Sequence, residues 1–329
     1  MAAKITVVGS YPKPPHEGGE FHLRKTLWAV DRGEATDEDI RDAQGELVRE
    51  LIEEQAEAGI ELVTDGQVRW DDAQTRFADE IDGFAIGGLI RYFDNNTYYR
   101  QPVVKGPLER REPIVVDEYR FAAEMSPVPV KPVLIGPYSL AALSQNESGV
   151  DVGDVVHDLA IVLNQEAKDL VAAGAEVVQF DEPILARVPG YTPGDLAVLT
   201  DAAPILLDGV EATTVLQTYF GDVTEQGPGL FELPFDVFGL DFVAGPANTE
   251  AVKRFPKEKV LSAGIVDARN TRLETIDDVV STIEELTEAV PADRLWVSPS
   301  CGLEYLPREA AHAKCRRLAE ATRKSREGR

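Results

Sequence analysis

Short apolar, β-branched runs alternate with amphipathic stretches along most of this chain. Residues 4–9 (KITVVG) read as a strand ending at Gly9. Residues 36–58 predict a helix, with Thr36 as N-cap and Asp39 close to the capping-box position. That helix ends at Gly59, and ELVTDG follows as a strand. Further strands are expected at 132–137, 176–183, 213–221, 236–243, 259–267 and 294–302, with helices at 151–173, near 193–208, at 276–289 and at 307–324. The strands are apolar almost throughout, as in a parallel sheet buried on both faces. Seven or eight such units favour a single (β/α)₈ barrel over a doubly wound sheet. The doubly wound alternative calls for a glycine-rich phosphate loop after the first strand, and GSYPKPP is not GxGxxG. Residues 84–121 break the rhythm and read as two antiparallel strands, an inserted hairpin of the kind that sits over a barrel's catalytic face or at an interface. No linker divides residues 1–329, so one domain is expected.

Charge sharpens this picture. Fifty-eight acids oppose 33 bases, a net charge of −25 spread along the chain. Such a chain repels phosphate backbones and anionic lipid surfaces, which excludes nucleic-acid and membrane partners. Arginine outnumbers lysine about two to one. An acidic, lysine-poor surface suits a halophilic protein, because high salt screens the self-repulsion. No apolar run approaches the roughly 20 residues of a membrane span, and no signal peptide is evident. Two cysteines, Cys301 and Cys315, exclude a disulfide scaffold. A cytoplasmic protein is the expectation.

In a barrel, function gathers at the C-terminal ends of the strands. Those ends carry Ser10, Asp65, Tyr138, Asp181 with Glu182, Gln217 with Tyr219, Asp241, Arg269 and Cys301. Buried polar groups are costly unless paired, so the set points to a ligand site. Each acid also has a plainer reading as a turn or cap residue. The four histidines, His16, His22, His157 and His312, show no HxH, HxxxH or HxC spacing, so no metal site is expected from them. His157 and His312 read as surface or capping residues. A basic group stands out in so acidic a chain: Lys13, His22, Arg24 and Lys25, joined by Arg91 and Lys105. It suits a polycarboxylate ligand; the alternative is pairing with Glu17, Glu20 and Asp31.

The segments VGSYPKP, VQFDEP, LQTYFGDV, GIVDARN and VSPSCGL, in this order, resemble the cobalamin-independent methionine synthase family over residues 5–320. The resemblance implies a (β/α)₈ barrel and methyl transfer from a methyl-pterin or folate to homocysteine. In full-length members two barrels face each other, and the C-terminal one holds the zinc that activates homocysteine. The positions matching its zinc ligands are Gln217, Tyr219, Asp241 and Cys301, of which only the cysteine is kept. An amide and a phenol are poor replacements for imidazole and thiolate. Arg269 stands where that barrel has its general-acid histidine, and arginine does not release its proton near neutral pH. TYFGDV, AGIVDARN and RYFDNNTYY look closer to the zinc-free N-terminal barrel, whose basic residues hold the donor's acidic tail; Arg24, Lys25 and Arg91 lie in the matching segments. Ser10, Asp65, Tyr138, Asp181 and Glu182 are the expected substrate contacts.

Three expectations follow. The first is a methyltransferase component that binds the methyl-pterin or folate donor and pairs with a zinc-bearing barrel, since the chain is too short to hold a second one. The second is a stand-alone homocysteine methyltransferase with a rearranged zinc site around Asp241 and Cys301. The third is a non-catalytic barrel with another small-acid ligand.

Overall fold

Ten strands emerge in the computed structural model, which describes residues 3–188 and 194–327. They are β1 (Lys4–Ile5), β2 (Ile81–Arg91), β3 (Tyr98–Arg110), β4 (Val133–Ile135), β5 (Gln145–Asn146), β6 (Val177–Asp181), β7 (Thr213–Gln217), β8 (Val237–Asp241), β9 (Val260–Val266) and β10 (Leu295–Pro299). Seven of them form a parallel sheet in the order β1-β10-β9-β8-β7-β6-β4. The gap between β1 and β4 is spanned by residues 62–63 through parallel bridges Thr6–Leu62 and Val63–Val130. The segment after Gly59 is thus the eighth stave, held by bridges and not by a full ladder. The reason is local. The Gln55 side chain donates to Thr64 O at 3.0 Å and accepts from Thr64 N at 3.2 Å, so it takes the backbone groups a ladder would use.

Residues of β6, β8 and β10 are buried throughout, as two covered faces require. The helix Asp37–Glu57 starts with a reciprocal capping box between Thr36 and Asp39. It stops at Gly59, whose φ of 93° few other residues tolerate. The helices expected at 151–173, 276–289 and 307–324 form at Val152–Ala172, Ile276–Ala289 and Arg308–Glu327. The one expected near 193–208 is Leu196–Leu206; residue 193 lies outside the described residues. Among the described residues no helix is long and apolar enough to cross a membrane.

The insertion is an antiparallel hairpin, with pairs running from Ile81–Arg110 to Arg91–Tyr98. Its second strand ends at Arg110, short of the expected 121, and Val116–Met125 is a helix. The buried Glu166 carboxylate accepts the amides of Ile114 at 2.9 Å and Val115 at 2.7 Å and so caps the entry to that helix. That acid comes from another helix, so the local apolar pattern carried no trace of it. A further helix, His22–Asp31, forms in the basic segment, with Leu23 and Thr26 buried.

Candidate active site

A cavity of about 360 Å³ opens at the C-terminal ends of the barrel strands. The loop after β1 supplies Ser10, Tyr11 and Lys13. The loop after the second stave supplies Gln67, Trp70 and Asp71. The hairpin turn adds Tyr92 and Tyr98. Asp181, Tyr219, Phe220, Glu304 and Tyr305 complete the wall.

Asp181 is the last residue of β6, and Gln179 lies two residues back on the same face of the strand. The Gln179 amide donates to Asp181 Oδ1 at 2.7 Å and to Val8 O at 2.8 Å. The Lys131 ammonium, wholly buried, donates to Gln179 Oε1, which fixes the amide's orientation. The other Asp181 oxygen accepts the Tyr219 hydroxyl at 3.2 Å, and that hydroxyl lies 3.3 Å from Tyr92 Oη. Burial pushes the Asp181 carboxyl up to about 7, against the pull of the Gln179 hydrogen bond and the Lys131 charge. Burial likewise lowers the Lys131 ammonium. Asp181 is therefore a cavity-facing carboxyl that gains or sheds its proton near neutrality. A ligand ammonium placed beside it would favour the charged form.

At the other side of the cavity the Ser10 hydroxyl donates to Glu304, and the Lys13 ammonium donates to Trp70 O. Burial lowers the Lys13 ammonium, while Asp71, Asp65, Glu304 and Glu118 hold its proton on. Burial also raises Glu304. Lys13 faces an otherwise acidic wall.

The remaining expected contacts lie elsewhere. Glu182 is fully buried and accepts the amides of Tyr138 at 2.9 Å and Ser139 at 2.7 Å, at the start of the helix Pro137–Leu143. Gly136 leaves room for it, since a Cβ there would collide with the carboxylate. Burial pushes Glu182 up to about 7. The Tyr138 hydroxyl accepts the Asp195 amide at 2.6 Å. Both residues shape the loop, and neither lines the cavity. Asp65 accepts the Gln67 amide at 3.0 Å and sits in a small crevice with Glu118 and Lys131; burial pushes it up to about 6. Arg24 stacks on Trp28 at 4.6 Å, Lys25 pairs with Glu20, and His22 lies 3.0 Å from Glu46. Arg91 pairs with Asp94 at 3.5 Å and donates to Asn95 O at 2.6 Å. Of the basic group, Lys13 alone lines the cavity among the described residues.

The four positions that the resemblance matches to zinc ligands do not fit the metal. Gln217 spends its amide on Thr218 O at 2.9 Å and packs beneath Gly239. Tyr219 is committed to Asp181. Asp241 accepts three backbone amides, from Phe220 at 3.0 Å, Val243 at 2.9 Å and Ala244 at 2.8 Å, and burial pushes it up to about 6. Cys301 is wholly buried, with Sγ 3.4 Å from Gly302 O; burial first, then Glu304 and Asp241, raises its thiol well above the usual range. A buried thiol raised in this way offers zinc no ready-made thiolate. Arg269 lies over the Phe220 ring at 5.4 Å.

Sequence reasoning had not assigned Trp70, Tyr92, Tyr98, Glu304 and Tyr305 individually to the site. The last two directly follow the CGL motif, and the tyrosines belong to the inserted turn. Those were the available signals.

Residues 3–324 match the family model described as the cobalamin-independent synthase catalytic domain. A methionine synthase of Saccharolobus solfataricus is 34% identical over 324 residues, 98% of this chain and 94% of that protein. One of Sulfurisphaera tokodaii is 32% identical, over 98% of this chain and 92% of its own length. A B12-independent methionine synthase from Shewanella sp. W3-18-1, solved with selenomethionine, shares the fold. Its TM-score is 0.81 at 20% identity, over 100% of this chain and 99% of that one.

Proposed function

Because the chain belongs to the cobalamin-independent methionine synthase family, we propose that it is one component of a methyltransferase acting from a methyl-pterin or folate donor to homocysteine. The observation that supports this reading is the mouth: an amino-acid-sized set of polar groups, Ser10 and Asp181, beside aromatic walls, with no zinc-ready donors at the four matching positions. In this reading Asp181 receives the ammonium of the amino acid, and Lys13 faces a carboxylate. Trp70, Tyr98 and Tyr305 offer flat surfaces to a pterin. Zinc comes with a partner barrel in the cytoplasm. Large exposed apolar side chains favour a docked partner: Leu89 is 64% exposed and Tyr98 58%, both on the inserted hairpin, whose Tyr98 also lines the cavity, and Trp28 on the helix His22–Asp31 is 50% exposed.

A second reading, a barrel acting alone, draws on one observation: relatives of nearly equal length are themselves named methionine synthases. It requires metal donors other than the four positions already described.

The test is zinc content and methyl transfer to homocysteine, measured for the protein alone and co-expressed with a zinc-bearing family barrel. Activity in the mixture only is expected. Full activity of the isolated protein would overturn the partner requirement. Inactivity of both samples, with no thermal shift from methylfolate, would favour a non-catalytic barrel with a different small acid.

A further inference from the structure

Beside the mouth, three elements far apart in sequence bring together two imidazoles and a carboxylate. His16 follows the β1 loop, Glu54 lies near the end of the helix Asp37–Glu57, and His312 lies early in the helix Arg308–Glu327. His16 Nε2 is 3.1 Å from Glu54 Oε2, and the two imidazole rings meet edge to face with centroids 6.2 Å apart. One ligand atom from each residue falls within 4.8 Å of the others. An ion about 2.1 Å from each donor sets neighbouring donors about 3.0–3.4 Å apart. The His16–Glu54 pair already has that spacing. The remaining donor separations, all within 4.8 Å, must shorten further around an ion, and the His16 side chain, 45% exposed, has room to follow.

Glu54 is held in place for such a role. Its Oε1 accepts the Tyr11 hydroxyl at 2.7 Å, and its Oε2 accepts Arg308 Nε at 2.8 Å. Each carboxylate oxygen has a second lone pair, so these bonds orient the group without exhausting it. Among the described residues neither ring nitrogen of His312 makes a hydrogen bond, so both are free to meet an ion. Four carboxylates, Glu50, Glu54, Glu57 and Glu309, surround the cluster against two guanidiniums, Arg308 and Arg316, so its field favours a cation.

We infer that His16, Glu54 and His312 form a site for a divalent first-row transition ion such as zinc or cobalt, separate from the barrel mouth. Two imidazoles and one carboxylate are the donor set these ions take. The site does not depend on the methyl-transfer reading. It also means that zinc found in the isolated protein need not lie at Cys301.

The test uses the full-length protein stripped with a chelator, titrated with Co²⁺ by visible absorption and with Zn²⁺ by calorimetry. One ion per chain is expected. His16→Ala and His312→Ala should each weaken binding about tenfold or more, while Cys301→Ser leaves it unchanged. His16→Gln, at an exposed position, serves where His312→Ala unfolds. No binding up to millimolar metal would overturn the inference. So would stoichiometric binding that survives both histidine changes, whether or not Cys301→Ser abolishes it.

Discussion

Asp241 and Glu54 are both buried carboxylates, and they are built into the barrel differently. Asp241 stands where the resemblance expects a zinc ligand, yet its three partners are backbone amides of the adjoining loops. Glu54 stands in no motif, yet its partners are side chains from other elements, one of them an imidazole. The positions that the resemblance matches to zinc ligands lack free donors, and the His16–Glu54–His312 cluster has donors outside any motif. A motif says where a group sits. What the group can hold depends on its hydrogen bonds and protonation state.

The comparison can be broken most strongly at Glu54. Glu54→Ala leaves the Arg308 guanidinium, 5% exposed, without its buried partner. A loss of about 3–5 kcal/mol in urea unfolding is expected. Removal of Asp241 should instead disorder its loop and leave metal binding untouched; metal loss in an Asp241→Asn protein would show that the mouth, not the His16–Glu54–His312 cluster, holds the ion.

Asp181 comes next. Asp181→Asn should weaken amino-acid binding about 10–100-fold, the worth of a charged hydrogen bond, as measured by calorimetry with homocysteine or methionine. The same variant gives a stability test with a definite sign. Burial raises Asp181 in the folded state to about 7, above its ordinary range. Its contribution is thus fully present at acid pH and is lost as pH rises through about 7. Asp181→Asn lacks that loss, so its stability relative to the native protein should improve from pH 5 to pH 8. A difference that stays flat would mean Asp181 is charged throughout.

Tyr219→Phe removes the hydroxyl that lowers Asp181, so the acid limb of amino-acid binding should move to higher pH. A loss of about 0.5–1.5 kcal/mol in binding should accompany it. The smallest effect belongs to the outer basic group. Arg24→Ala and Lys25→Ala disturb exposed surface contacts, and donor affinity should stay within twofold. A large loss would place the acidic tail of the donor on that helix.

The sequence predicted most helices to within a few residues, because each carries its own cap and apolar face. Thr36 with Asp39 is one case and the helix Ile276–Ala289 another. The barrel followed from the alternation of apolar strands with those helices. The overrun of the insertion's second strand past Arg110, and the bridging form of the stave after Gly59, have one cause. Glu166 and Gln55 take backbone hydrogen bonds that local pattern alone assigns to ladders.

The mouth was legible in part for the same reason that the fold was. Ser10 and Asp181 lie at strand ends, and strand ends are visible in sequence. Whether a strand-end acid faces ligand or loop was not. Asp181 faces the cavity, and Glu182, one residue on, turns away to cap a helix. Only tertiary structure set His16 beside His312, nearly the whole chain apart, because the barrel closes its first loop against its last helix. Local pattern decides which segments are helices and strands, since capping and periodicity act over a few residues. Donor sets and protonation states are decided by packing, since they depend on which distant groups share a desolvated space.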